Sequence, residues 1–285
     1  MVIVVTDSCA SIPPLMIAEL GIEVVPYHVH STLGTLRDGV DMPPDEFYGW
    51  LKDTRDWPTT ANPSAGDYLE AYRRAAKRGE GVVAVSMTGA GSGGYQSAVL
   101  ASRLAEQELP GVPIEVLDTR QVGLAHGWAV IQAARAALHG RDVPGVLDVA
   151  RNVAERAFVG FTNDTLVYLQ RGGRIGRMQG MMGNVLNIKP LIGMKAGMPS
   201  LLAVARSRRH AYRRIVALAQ EVVPAGSTVR VALMHVSAPE EVQQFRPLLE
   251  DAYAVIEWVE AQLSPALGVH SGPGTVGIAL IADKP

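Results

Sequence analysis

The sequence predicts an α/β protein of two lobes, the first a mainly parallel sheet covered by helices, and three observations carry that expectation. Runs rich in β-branched residues (VIVVTD, GVVAVS, IEVLD) alternate with apolar-periodic segments bounded by Gly and Pro through the first half of the chain, the pattern of parallel strands joined by crossover helices. Near residue 155 the rhythm changes to Gly-rich turns mixed with short apolar pieces, and a second alternation follows. With 285 residues, 48% of them hydrophobic, the chain can bury two cores of ordinary size. The expected lobes are residues 1–155 and 156–285.

The elements follow in order. VIVVTDS reads as a buried strand, PPLMIAELG as a helix closed by Gly21, and IEVVPYHVH as a second strand. PPDEFYGWLKD is helical, and after a Pro-punctuated loop an amphipathic helix runs to Gly79. GVVAVSM, a Gly loop, a helix, IEVLD and the helix LAHGWAVIQAARAALHG continue the alternation. The second lobe is expected to hold strand AFVGFTND, strand VRVALMHV, helix PEEVQQFRPLLEDA, strand VIEWVEA and a terminal loop-strand VHSGPGTVGIALIA.

Composition narrows the function. A net charge of -2 supplies no global basic field for nucleic acid. Cys9 stands alone, which excludes an internal disulfide framework and any Cys-x-x-Cys motif. The N-terminus opens directly on a strand, and no run of about 18 apolar residues occurs, so a cytoplasmic protein without a membrane span is expected.

The loop after GVVAVSM poses the chemical question. Gly89, Gly91 and Gly94 spell G-x-G-x-x-G, and Asp118 follows where a dinucleotide fold would place its ribose-binding acid. The same loop reads Ala90-x-Ser92-x-Gly94, a variant of the nucleophile elbow, for which His270 and an acid such as Asp7 could complete a triad. A third reading is a Gly-rich turn presenting Ser92 and backbone N–H groups to an anion. Loops at the carboxyl ends of parallel strands converge on one crevice. The loops TDSCAS (Thr6, Asp7, Ser8) and TTANPS (Thr59, Thr60, Ser64) are therefore candidate walls, although such residues also cap helices.

Arg171 and Arg174 of RGGRIG can aim guanidinium forks at a carboxylate or phosphate, and His270 sits in the rigid turn HSGPG as a donor or base. His28 and His30 share a strand face, but no carboxylate or thiol cluster accompanies them, against a zinc site. Met178, Met181, Met182, Met194 and Met198 form a flexible thioether surface suited to a long apolar guest or to core gap-filling. Arg206, Arg208, Arg209, Arg213 and Arg214 make either a solvated helix face or a docking patch for an acidic partner.

Taken in order, TDSCASIP, RDGVDM, TTANPS, SGGYQSA, LDTRQVGLAHG, YLQRGGRIG, LNIKPLI and VHSGPGTVGI resemble the DegV family of bacterial fatty-acid-binding proteins, over nearly the full length. The resemblance implies a non-enzymatic carrier without cofactor that encloses one long-chain fatty acid between and within its lobes. It also implies a separate fatty-acid kinase as partner, which turns the presented acid into an acyl phosphate. Carried over by motif, the carboxylate contacts fall on Thr60, Ser92, Arg174 and His270, with supporting contacts from Ser8, Gly93 and Gly94. The tail tunnel falls near Met178, Met181, Met182 and Met194, and partner docking near Arg206, Arg208 and Arg209. The chain departs from the family pattern at Gly94, where the family usually has Thr, and at Ala61-Asn62, where it usually has Ser-Gln. On this reading the G-x-G-x-x-G is an accident of Gly94.

Overall fold

A computed structural model describes residues 1–175 and 188–283. Strand β1 (Val2–Asp7) is buried along its whole length and leads through a short 3-10 turn into helix α1 (Pro14–Glu19) and strand β2 (Glu23–Val25). The expected single strand IEVVPYHVH is then cut in two. Pro26 has no N–H to give a ladder, and the chain leaves the sheet there to form β3 (His28–Ser31), which pairs antiparallel with β4 (Gly34–Arg37) and β5 (Thr59–Ala61). Helix α2 (Pro44–Asp53) lies between β4 and β5. Helix α3 (Ala65–Ala76) opens with a capping box between Ser64 and Asp67, so Ser64 caps a helix. Strand β6 (Gly81–Ser86), helix α4 (Gly94–Glu108) and strand β7 (Ile114–Asp118) complete a four-stranded sheet in the order β2-β1-β6-β7, every pair parallel.

Alternate residues of these strands face two helix layers, as the period of two demands. Ile3, Val5, Val82 and Ala84 pack on α3 and α4. Val2, Val4, Val83 and Val85 pack on helices α5 (Gly123–Leu138) and α6 (Val143–Arg156). Helix α6 did not stand out in the sequence, where Pro144 and Gly145 obscure its start. They occupy its first turn, and the Asp142 carboxylate accepts the Gly145 N–H.

The remaining strands build a second sheet. Strand β8 (Phe158–Thr162), helix α7 (Val167–Arg171), the hairpin β9 (Lys189–Lys195) and β10 (Met198–Ala205), helix α8 (Arg208–Gln220) and strand β11 (Thr228–His235) come first. Helices α9 (Pro239–Val242) and α10 (Phe245–Ala252), strand β12 (Ala254–Gln262), helix α11 (Pro265–Ser271) and strand β13 (Val276–Ala282) follow. The order is β10-β9-β8-β13-β11-β12, with only β11 and β12 parallel. The expected terminal loop before β13 is therefore a helix, and His270 lies in its last turn.

Helix α5 packs on β1 and β6 of one sheet and on β11 and β13 of the other. Its Ala125, Ala129, Ala133, Ala134 and Ala137 are buried. Small side chains let one helix fit between two sheets, and a helix apolar all round belongs in such a place. The loops bearing the candidate residues open beside this shared layer.

Candidate functional site

The loop between β6 and α4 is held before anything binds it. Asp118 at the end of β7 accepts the N–H of Gly89 at 3.0 Å and of Arg120 at 2.8 Å. The carboxylate that would have met a ribose is spent on the Gly loop itself. From the other side the Thr88 hydroxyl donates to the Gly197 carbonyl at the β9–β10 hairpin tip, 2.6 Å away. Ser92 Oγ lies 2.7 Å from the Tyr27 hydroxyl and accepts a long N–H contact of 3.4 Å from Gly94.

Thr60 reaches the same place from β5. Its Oγ1 lies 2.8 Å from Nε2 of His270 on α11. Burial, with help from the nearby Arg174 guanidinium, depresses the His270 pKa to about 4, so the imidazole is neutral at neutral pH. Its Nδ1 is buried without a partner among the described residues. We assign the proton to Nε2, because an orphaned buried N–H is rarer and costlier than an orphaned lone pair. His270 then donates to Thr60, whose own proton is left for the cavity. Gly172, just past α7, lies over this ring, and a Cβ there would collide with Nδ1. The first half of the RGGRIG turn is thus fixed by contact with the histidine. Arg174 in the same turn donates to the Gly172 carbonyl at 2.5 Å and reaches the Gly91 carbonyl at 3.4 Å.

These groups meet at one cavity of about 150 Å³, lined by Thr60, Ser92, Gly93, Arg174 and His270. Most of the remaining wall is apolar, with Met87, Val122, Phe161, Leu169, Met234 and Leu267 among its members. Arg174 is the charged side chain of the described lining, and no Asp or Glu accompanies it. A half-buried guanidinium without a carboxylate, flanked by hydroxyls and opening on an apolar space, suits an anion with a hydrocarbon body.

The structure brings all four candidate head-group residues together and sorts the others. Gly93 lines the cavity, whereas Ser8 and Gly94 stand behind it. Ser8 donates to Asp38 at 2.6 Å and accepts the Tyr27 N–H at 3.0 Å, so it fixes Tyr27. Met178, Met181 and Met182 lie outside the described residues. Met194 packs against the main core, and among the described residues the thioethers at the cavity are Met87 and Met234. Tyr27 and Asn62 also line it. Tyr27 was hidden because a strand read straight through Pro26 assigns its side chain to a sheet face, and Pro26 itself was the available signal.

The triad suggested by the elbow motif is not assembled. Ser92 bonds Tyr27, His270 bonds Thr60, and the fully buried Asp7 accepts N–H groups of Cys9 and Met87 while lying 4.0 Å from His126. The arginine run divides as well. Arg208 is half-buried, pairs with Asp164 at 2.6 Å and donates to Tyr212 and the Gly274 carbonyl. Arg206, Arg209, Arg213 and Arg214 remain exposed.

Comparison with known proteins agrees with the architecture. A Thermus thermophilus DegV family structure, described as binding fatty acid, superposes with a TM-score of 0.88 at 30% identity, covering 99% of each chain. Bacillus subtilis DegV, described as a fatty-acid-binding protein, gives 0.88 at 26%, again over 99% of each. A stearic-acid-binding protein from Eubacterium ventriosum gives 0.87 at 25%, over 99% of this chain and 98% of that one. In sequence, a DegV domain-containing protein of Streptomyces coelicolor is 32% identical over 285 residues, 98% of each chain. The family model described as "Uncharacterised protein, DegV family" matches residues 1–283, and the chain belongs to that family.

Proposed function

We propose that this protein binds one long-chain fatty acid, with its carboxylate at Thr60, Ser92 and Arg174 and its tail along the apolar wall, and presents it to a fatty-acid kinase. The observation that carries the reading is the donor cluster at one place in an otherwise apolar cavity. Burying a carboxylate is costly unless its oxygens are bonded, and two hydroxyls with a guanidinium supply charge-assisted bonds to both. His270 holds Thr60 in its donating orientation. Met87 and Met234 give the tail walls that repack around different chain shapes.

The division into lobes at 155/156 belongs to the same reading, with the acid held where the two meet. So does the absence of catalysis by the chain itself. Among the described residues neither Ser92 nor His270 has the partners of an activated nucleophile, and a carrier delivers its ligand intact. Handover to an acidic kinase surface falls to the exposed Arg206 and Arg209, since Arg208 is spent on Asp164. A cytoplasmic location fits such a handover.

The decisive measurement is mass spectrometry of lipid extracted from the purified, denatured protein, followed by titration with palmitate. Free fatty acid near one per chain and saturable palmitate binding are expected. A protein that neither carries nor takes up a fatty acid overturns the reading.

A further inference from the structure

We infer that the Tyr27 hydroxyl belongs to the head-group site as the group that sets the direction of the Ser92 proton, and that Gly94 is the residue that admits it. The inference rests on the fatty-acid reading of this site and adds to it the device by which an ionised carboxylate is told from a neutral head group.

Tyr27 is held on every side. Its N–H donates to Ser8 Oγ at 3.0 Å and its carbonyl accepts the Asp38 N–H at 2.8 Å, while Ser8 passes its own proton to Asp38. The side chain is 4% exposed, and its hydroxyl ends 2.7 Å from Ser92 Oγ at the cavity wall. The space it fills exists only because residue 94 has no side chain, since a Cβ on Gly94 would sit 2.5 Å from the Tyr27 oxygen. Gly94 has no left-handed backbone to justify glycine otherwise. Tyrosine at 27 and glycine at 94 are thus one fitted pair.

A serine hydroxyl has one proton and two lone pairs. Among the described residues the Tyr27 hydroxyl has Ser92 Oγ as its one hydrogen-bond partner, and a phenol is a stronger donor than an aliphatic hydroxyl, so we assign Tyr27 as the donor. Ser92 then accepts from Tyr27 on one lone pair and, weakly, from the Gly94 N–H on the other. Its remaining function is to donate into the cavity. The Ser92 end of the site therefore suits an acceptor-only group. A carboxylate meets that demand with both oxygens, whereas a fatty alcohol brings a proton of its own to a place already furnished with donors.

The test uses the full chain with palmitate and hexadecan-1-ol as probes. Tyr27→Phe should weaken palmitate about tenfold, the loss expected of one hydrogen bond serving a charge, and leave the alcohol nearly unchanged, so that the acid-to-alcohol ratio falls. In a Ser92→Ala background the same change should cost palmitate nothing further. Equal weakening of both probes, no loss of palmitate, or losses that multiply in the double variant would each overturn the relay. Gly94→Ala gives a second, ligand-free arm. It should lower Tm in the wild-type background and not in Tyr27→Phe, where the next neighbours of the new methyl stand at 3.4 and 3.5 Å. A wild-type protein that takes up no palmitate while passing this arm would defeat the fatty-acid reading and leave the Tyr27–Gly94 fit standing. An equal Tm loss in both backgrounds would remove the fit itself.

Discussion

Two of the hydroxyls that line the cavity, those of Thr60 and Ser92, are each backed by a ring. Thr60 has the His270 imidazole 2.8 Å behind it and Ser92 has the Tyr27 phenol at 2.7 Å. In both, the ring fills an acceptor position of the hydroxyl and frees its proton for the space in front. The rings differ in chemistry and in support. Imidazole can take up a second proton within the acidic range and lose its role as a neutral donor, whereas the phenol stays protonated throughout. His270 rides on α11 beneath the turn that follows α7, while Tyr27 is anchored through Ser8 and Asp38 in the first half of the chain. One function assembled from separately supported parts can be lost one part at a time.

Arg174 stands outside both pairs as the charge they share, so its removal should have the largest effect. Arg174→Ala is expected to weaken palmitate by about 2–4 kcal/mol, since bonds to charged groups carry more than neutral ones and the carboxylate would be left buried without its counter-charge. Calorimetric titration measures it. A loss no larger than that of Ser92→Ala would mean that the hydroxyl pairs, and not the cation, hold the head group.

Gly172→Ala should break the Thr60 side alone. The added methyl collides with His270 Nδ1, and overpacking of this kind costs about 1–3 kcal/mol. The expected outcome is a lower Tm and a weakened palmitate affinity that Thr60→Val does not weaken further. Full additivity of the two changes would show that the turn and the histidine act independently.

The pH response separates the rings. His270 stays neutral in the fold down to about 4, against 6.5 for the free imidazole, so between those values the unfolded chain binds the proton and the folded chain does not. The stability tied to the neutral ring is whole above about 6.5 and is lost as pH falls toward 4. Asp38, raised by burial to about 6, slopes the other way, because its folded form holds a proton that the unfolded form has released. Comparing wild type with His270→Gln cancels the Asp38 contribution. The wild type should lose more Tm between pH 7 and 4.5 than the variant does, and parallel curves would contradict a buried neutral His270. Tyr27→Phe should run parallel to wild type over the same interval.

The difference between the pairs also explains what the sequence revealed. Thr60, Ser92, Arg174 and His270 stand in stretches of sequence rich in Gly or Pro that read locally as loops, where polar side chains have few structural tasks and their chemistry shows. Tyr27 stands in a run of β-branched and aromatic residues, where an aromatic reads as sheet packing, and only the missing N–H of Pro26 marks the departure. The first sheet was legible because β1, β6 and β7 are short β-branched runs between strong turn signals. Helix α11 was not, because Pro265, Gly268 and Gly272 spell a loop locally while tertiary packing supplies the helix. Tyr48 closes over Gly268 and donates to the carbonyls of Leu263 and Ser264. The β9–β10 hairpin was equally obscure, since its turn has Ala196 at a φ of 51° where Asn would announce it. Contacts between residues more than a hundred positions apart leave little local trace.

That hairpin supplies the smallest expected effect and the finest probe of the Ser92 side. Its tip carbonyl at Gly197 accepts the Thr88 hydroxyl at 2.6 Å, and Thr88 is 1% exposed. Thr88→Val keeps the shape and removes the donor, leaving the carbonyl of the buried Gly197 without its partner. Stability should fall by about 1–2 kcal/mol. Palmitate affinity should fall by less, because Asp118 still holds Gly89 and Tyr27 still holds Ser92. Combined with Tyr27→Phe, the loop would keep the Asp118 anchor and the long Arg174 contact to the Gly91 carbonyl, and the affinity loss should exceed the sum of the single losses. Simple additivity would mean that the hairpin steadies the fold without steadying Ser92, and that the two halves of the site are independent down to their loops.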